Sequence, residues 1–104
     1  MQLHPWDEQL ILASMLIVHD AIPRVLALGI RSTSYGSTKN QVLHDAIVDC
    51  YIDKQSSIDS VDVICRLIRH EKLEIAGGAE YFASLLVRAA TREQFPRLLE
   101  RYGK

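Results

Sequence analysis

Gly77-Gly78-Ala79-Glu80-Tyr81-Phe82 is the stretch that decides the fold of this 104-residue chain. Two consecutive glycines permit a tight turn with positive φ, which other residues adopt only at an energetic cost. The residues after them form a helical apolar stripe of Tyr81, Phe82, Leu85 and Leu86. No strand precedes the glycines and no Lys-Ser or Lys-Thr pair follows them. They therefore predict a turn between two helices and not a phosphate-binding loop.

Upstream, the first predicted helix covers about Pro5 to Val18. Its broad apolar face includes Trp6, and Asp7 and Glu8 complement the positive end of the helix dipole. The pattern predicts a helix that lies well inside a bundle.

A second, shorter helix is predicted over Ile22–Leu28, with Asp20 as its N-cap and Gly29 as its end. The Ser-, Thr- and Gly-rich residues Ile30–Thr38 predict a loop in which Tyr35 serves as an anchor.

The third predicted helix begins near Thr38 or Asn40 and frays around residues 54–57. Asp59 or Ser60 caps a fourth helix, whose inward side we predict to be formed by Val61, Ile64, Leu67 and Ile68.

After the fifth helix, which follows the glycines, the chain is expected to turn again near Thr91–Pro96. The last helix is predicted from an i, i+3, i+4, i+7 pattern formed by Phe95, Leu98, Leu99 and Tyr102. No convincing strand pattern, repeat or linker interrupts the chain. We therefore predict one all-α domain over residues 1–104, a small irregular bundle of five or six short helices whose last two form a hairpin.

Composition favours an ordinary globular protein, because 48% of the residues are apolar and 24% are charged. The formal net charge of −1 supplies no general attraction to nucleic acid. Cys50 and Cys65 are expected to be reduced thiols in largely buried positions, although the sequence leaves a disulfide between them open. There is no signal peptide pattern, and the apolar run Leu10–Val18 is too short to cross a bilayer. We expect a cytoplasmic protein.

The sequence contains no pattern that predicts catalysis, a metal site or a cofactor. The four histidines are scattered, and neither HExxH, CxxC nor GxSxG occurs. Near the C-terminus, four arginines form a mixed charged face that predicts at most weak phosphate contacts: Arg88, Arg92, Arg97 and Arg101. The nearby aromatic residues belong to helical stripes and are not free to stack on bases.

Four motifs in this order resemble the N-terminal domain of DnaB-type replicative DNA helicases. They are Asp7-Glu8-Gln9-Leu10-Ile11-Leu12, Leu43-His44-Asp45-Ala46-Ile47, Ile58-Asp59 and Gly77-Gly78-Ala79-Glu80-Tyr81-Phe82. The resemblance extends from about Pro5 to Tyr102. Because the chain has no P-loop and ends before a motor domain, the resemblance implies either an excised N-terminal domain or a free-standing homologue, and it implies no enzymatic activity.

The resemblance implies a protein-interaction role in replication. Such domains associate through their C-terminal helices into a collar, which docks the C-terminal domain of a DnaG-type primase or a helicase loader. The candidate interface residues are the apolar residues of the last two helices: Phe82, Leu85, Leu86, Phe95, Leu98, Leu99 and Tyr102. Two alternatives stay open. One is a free-standing mimic of the primase's helicase-binding domain, and the other is a small helical nucleic-acid-binding protein.

Overall fold

A computed structural model describes residues 1–18, 20–54, 58–88 and 94–103, and it confirms the predicted all-α fold. Among these residues there are six α-helices and one short 3₁₀ turn, Ser32–Ser34. The helices are α1 (Pro5–Ile17), α2 (Ala21–Ala27), α3 (Thr38–Lys54), α4 (Ser60–Arg69), α5 (Gly78–Val87) and α6 (Gln94–Glu100). None of the described helices is both long enough and apolar enough to span a membrane.

Helix α1 is the centre of the bundle, and it packs against α2, α3, α5 and α6. Its inner residues from Ile11 to Leu16 are buried, as the broad apolar face predicts. The prediction was wrong for Trp6, which is 80% exposed and stacks loosely on His4. The reason is that Asp7 and Glu8 take the inward positions of the first turn, which leaves Trp6 on the outside.

Local capping explains where several helices begin. Asp59 accepts a hydrogen bond from the Asp62 backbone N–H, and the Asp62 side chain accepts one from the Asp59 N–H, which forms a capping box at α4. Gly77 precedes α5 with a φ of 102°, a conformation that favours glycine. Asp20 occupies the predicted N-cap position of α2, but its side chain makes no capping hydrogen bond.

The predicted inward side of α4 was partly wrong. Val63 and Leu67 are the fully buried residues, whereas Val61 and Ile68 are 62% and 57% exposed. Two contacts with α3 fix this rotation: the Cys50 thiol approaches the Asp62 carbonyl, and Asp53 pairs with Arg66. A helix with a core on one side only can bury just one of its two apolar stripes.

Both α5 and α6 pack on α1. The turn predicted near Thr91–Pro96 was wrong for its last part, because Gln94–Pro96 already belong to α6, where proline is tolerated in the first turn. Residues 91–93 lie outside the described part of the chain, as do residues 55–57, where α3 was expected to fray. The pairing of α5 and α6 as a hairpin involves the connection between them and stays a prediction.

Candidate interaction surfaces

Glu8 is the centre of a buried polar cluster that joins three parts of the chain. Its carboxylate is 4% exposed, and it accepts hydrogen bonds from the Gly36 backbone N–H at 2.9 Å and the Asn40 side-chain amide at 2.8 Å. The Tyr81 hydroxyl donates to the other side of the Asn40 amide. A buried carboxylate is stable only with such donors, so this cluster fixes α1, α3 and α5 relative to one another.

Asp7 holds the C-terminal end of the chain in a similar way. Its carboxylate is 1% exposed and accepts hydrogen bonds from the Tyr102 hydroxyl and, at 2.8 Å, from the Arg101 guanidinium. The Tyr102 oxygen in turn accepts a hydrogen bond of 3.1 Å from the His4 backbone N–H. Burial and the hydrogen bond with Asp7 raise the pKa of the Tyr102 hydroxyl, which therefore stays protonated and donates. Asp7 is thus a structural anchor for the segment after α6.

Tyr35 and His44 form a third buried pair. The Tyr35 hydroxyl lies 2.9 Å from His44 Nδ1, and the two rings are 5.1 Å apart. Burial raises the pKa of the Tyr35 hydroxyl. Burial also lowers the pKa of the His44 imidazole, and the charge of Asp45 opposes this only in part. Both groups are therefore neutral at pH 7, and the expected anchoring role of Tyr35 in its loop is confirmed by its burial.

These clusters are structural in character. Every buried side-chain nitrogen and oxygen in the described part of the chain has a hydrogen-bond partner. Within residues 1–18, 20–54, 58–88 and 94–103, no group of three or more His, Cys, Asp or Glu side chains is placed to hold a metal ion. With their donors and acceptors already paired inside the fold, the buried polar residues position helices and leave the outer surface to make contacts.

Most of the candidate interface residues contribute to the chain's own core. Five of them are buried: Phe82, Leu85, Phe95, Leu98 and Leu99. Leu86 and Tyr102 keep partly exposed surface, and Val87, which follows Leu86 in α5, is 87% exposed. The apolar stripes of α5 and α6 are therefore used mainly for packing inside this domain. Only a few flanking side chains remain available to a partner.

Three of the four predicted phosphate-contacting arginines lie in the described part of the chain, and Arg92 lies outside it. Arg88 donates to the Gln9 side chain at 2.8 Å, and Arg101 pairs with Asp7. Arg97 is exposed on α6. Two of the three are therefore already paired with groups of this chain, and the weak phosphate contacts stay a prediction.

The outer side of α4 carries apolar side chains that the sequence analysis assigned to the core. Val61, Cys65 and Ile68, which we call the α4 stripe, recur at i, i+4 and i+7 and are all exposed. The expectation that Cys65 is buried was therefore wrong, whereas Cys50 is buried and both thiols are free. The sequence did contain one signal for the observed orientation of α4, because Val63 and Leu67 form a second apolar i, i+4 pair on this helix.

A further apolar groove of about 380 Å³ lies between the end of α1, the start of α2, Tyr51 and Ile58. Met15, Leu16 and Ile22 form much of its floor, and Ile17 is 50% exposed at its edge. Its residues span three helices, so no local sequence pattern predicts it.

The comparisons with known proteins agree with this architecture. The chain resembles the N-terminal domain of DnaB helicase from Mycobacterium tuberculosis, known from a crystal structure, with a TM-score of 0.76 and 29% sequence identity. The match covers 92% of this chain and 65% of that one, which is less than two thirds of the solved chain. No curated protein matches the chain.

The family described as DnaB-like helicase N terminal domain matches residues 4–101, which is nearly the whole chain. The matched unit is a non-motor domain, and these 104 residues contain no helicase motor domain. The chain therefore belongs to the DnaB-like helicase N-terminal domain family.

Proposed function

We propose that residues 1–104 form a non-catalytic interaction domain of DNA replication, which associates with other copies and docks the C-terminal domain of a DnaG-type primase or a helicase loader. The observation that carries this proposal is the family match over residues 4–101, supported by the crystal structure of a DnaB N-terminal domain with the same fold. A buried polar framework whose groups are already paired supports an assembly role better than a catalytic one.

The residues that we propose for the partner contact are exposed or partly exposed residues of α5, of α6 and of the segment after α6. We call them the C-terminal face: Leu86, Val87, Arg97 and Tyr102. It combines the most exposed large apolar residue of the described chain, Val87, with the exposed guanidinium of Arg97. Tyrosine and arginine are enriched at energetically important positions in protein interfaces, and Tyr102 and Arg97 supply these residue types here. The chemistry fits a partner helix that carries apolar residues and at least one carboxylate.

The nucleic-acid alternative has less support. Arg88 and Arg101 are bonded to Gln9 and Asp7 within the chain, and the net charge is −1. Binding through the remaining cations would fall steeply with salt, because displaced counterions drive such binding. The primase-mimic alternative predicts contact with a helicase instead of a primase, and only a binding experiment separates the two.

The first experiment is the mass of the chain by light scattering, alone and after mixing with a DnaG-type primase C-terminal domain. We expect a complex whose affinity falls about tenfold or more when Val87→Asp or Arg97→Glu alters the C-terminal face. The matched control is Ile52→Glu, which places a charge on α3 at an isoleucine that is 59% exposed. A substitution of Leu98 is unsuitable because its side chain is buried in the core.

A chain that ignores the primase domain but binds a DnaB-type helicase would favour the mimic alternative. Binding to DNA at low salt with no protein partner would favour the nucleic-acid alternative. If the chain forms a complex with the primase domain that Val87→Asp and Arg97→Glu leave intact, the proposed docking face is wrong.

The cytoplasmic location expected from the sequence stays a prediction.

A further inference from the structure

Trp6 is a large aromatic side chain that the fold leaves on the outside of α1. It is 80% exposed, and it is the single tryptophan of the chain. The His4 ring lies 6.4 Å from the indole and accepts a hydrogen bond of 3.3 Å from the Trp6 backbone N–H, which helps to hold this first turn. Tryptophan is enriched at positions that dominate binding energy. A single exposed apolar residue is common, so the groups around Trp6 decide what it means.

Two arginines from distant parts of the chain flank Trp6. Arg88, at the end of α5, donates to the Gln9 side chain at 2.8 Å, and Arg101, after α6, donates to the Asp7 carboxylate at 2.8 Å. At about 100° per residue, Gln9 lies roughly 60° to one side of Trp6 around α1, and Asp7 lies about 100° to the other side. The two hydrogen bonds therefore hold one guanidinium on each side of the indole. We call Trp6, Arg88 and Arg101 the Trp6 surface.

The charge that the Trp6 surface presents to the outside is positive. Gln9 is neutral, so Arg88 keeps its full charge. Arg101 is paired with Asp7, but the Arg101 side chain is 65% exposed whereas the Asp7 carboxylate is buried. An incoming group therefore meets the guanidinium before the carboxylate. The planar fork of a guanidinium matches the geometry of a carboxylate, so the surface combines an aromatic ring with two carboxylate-binding groups.

We propose that the Trp6 surface binds a short acidic peptide segment of another protein. An aromatic side chain of the peptide packs against the indole, and carboxylates on either side of it pair with Arg88 and Arg101. One indole and two guanidiniums are far fewer than the roughly 20–30 residues that each side of a standard interface contributes, so a short segment fits better than a folded domain. None of the three residues belongs to the C-terminal face, and this inference does not rest on the proposed function.

The same surface favours a peptide over single-stranded nucleic acid. Proteins that bind single strands present successive aromatic side chains along a basic groove, so that several bases stack in a row. Trp6 has no such companions, because no phenylalanine or tyrosine in the described part of the chain is fully exposed. The net charge of −1 also gives no long-range attraction for a polyanion. A few carboxylates around one aromatic ring match the surface more closely.

Trp6 is its own reporter, because the chain contains no other tryptophan. The full chain is titrated with the end-blocked peptide Asp-Asp-Phe-Asp-Asp while tryptophan fluorescence is recorded. We expect a blue shift of the emission, less quenching by acrylamide, and a Kd below about 1 mM. The peptide Asn-Asn-Phe-Asn-Asn lacks the carboxylates, and Asp-Asp-Ala-Asp-Asp lacks the ring. Each should bind about tenfold more weakly or not at all.

Arg88→Glu keeps the fluorescent reporter and reverses one charge, so we expect it to raise the Kd about threefold to tenfold. Arg69→Glu is the matched control, because it makes the same charge change at an exposed arginine of α4 and should leave the Kd unchanged. Trp6→Ala should raise the Kd about tenfold or more, measured by the anisotropy of a labelled peptide. Arg101 is left unaltered because it satisfies the buried Asp7. Circular dichroism confirms that each variant is folded.

The proposal is overturned if the chain binds none of the acidic peptide at about 1 mM, if the asparagine peptide binds equally well, or if Arg88→Glu and Arg69→Glu behave alike. Tighter binding of an oligothymidylate than of the acidic peptide would also overturn it, in favour of single-stranded nucleic acid. Peptide binding by a chain that ignores the primase domain would support this proposal alone. Loss of both the peptide and the primase domain in Trp6→Ala would mean that the two surfaces are one, which contradicts a second partner.

Discussion

Asn40 offers the sharpest test of the buried polar framework, because its side-chain amide joins Glu8 to Tyr81. In Asn40→Ala the Glu8 carboxylate keeps only the hydrogen bond from Gly36. Loss of a hydrogen bond to a buried charged group reduces the free energy of unfolding by about 1.5–3 kcal/mol. Loss of the acceptor for the half-buried Tyr81 hydroxyl adds about 1 kcal/mol, and the higher helix propensity of alanine offsets about 0.5 kcal/mol.

We therefore expect Asn40→Ala to lower the free energy of unfolding by about 3 kcal/mol, which corresponds to a fall in Tm of roughly 10–20 °C for a domain of this size. Urea denaturation followed by circular dichroism measures the change. Gln41→Ala is the neighbouring control, because Gln41 donates only to the neutral Tyr35 carbonyl. Gln41→Ala should lower the free energy of unfolding by about 1 kcal/mol.

The reasoning is refuted if Asn40→Ala is no more destabilising than Gln41→Ala. A double-mutant cycle between Asn40→Ala and Tyr81→Phe separates the two hydrogen bonds of the amide. If the bond to Tyr81 is formed as described, the two substitutions together lower stability by about 1 kcal/mol less than the sum of their separate effects.

Three further predictions concern local features. Gly77→Ala should lower the free energy of unfolding by about 2 kcal/mol or more, because a Cβ at this position lies 2.5 Å from Tyr81 Cδ2. Gly78→Ala has open space around its Cβ and should lower the free energy of unfolding by less in the same urea titration. Asp59→Ala removes the N-cap of α4 and should lower the free energy of unfolding by about 1 kcal/mol, and an unchanged urea midpoint would contradict the capping role. His44 has a pKa lowered from 6.5 by burial, so the unfolded chain binds its proton more readily than the folded chain. Its contribution to stability is complete above pH 6.5 and is lost as the pH falls through the lower folded pKa. The fall in the free energy of unfolding from pH 7.5 to the acid range should be smaller in His44→Asn than in the unaltered chain. Parallel profiles of the free energy of unfolding against pH for the two proteins would exclude a contribution of His44 to acid unfolding.

Sequence patterns predicted the features that depend on neighbouring residues. The Gly77 turn, the Asp59 cap and the Phe95, Leu98 and Leu99 stripe all follow from contacts within one or two helical turns. The rotation of α4 was missed because its two apolar stripes are almost equally strong, and only contacts with α3 choose between them.

The buried carboxylates could not be predicted from local patterns. Asp7 and Glu8 look like ordinary first-turn residues that complement a helix dipole. Their burial depends on Gly36, Asn40 and Tyr102, which lie 28, 32 and 95 residues away in the sequence. The resemblance to the helicase domain identified the fold, but it gave no information about which polar groups lie inside it.

The hydrogen bonds from Arg101 and Tyr102 to Asp7 have a consequence for protein synthesis. Arg101 and Tyr102 are 94 and 95 residues from the carboxylate that they satisfy, so α1 leaves the ribosome long before its partners exist. Contacts between distant parts of a chain slow folding, because the intervening segment must be ordered first. Until Arg101 and Tyr102 have emerged, a nascent chain has to keep the Asp7 carboxylate in water. Completion of this fold is therefore expected only once α6 and Tyr102 have emerged from the ribosome, and growing chains depend on protection from aggregation until then.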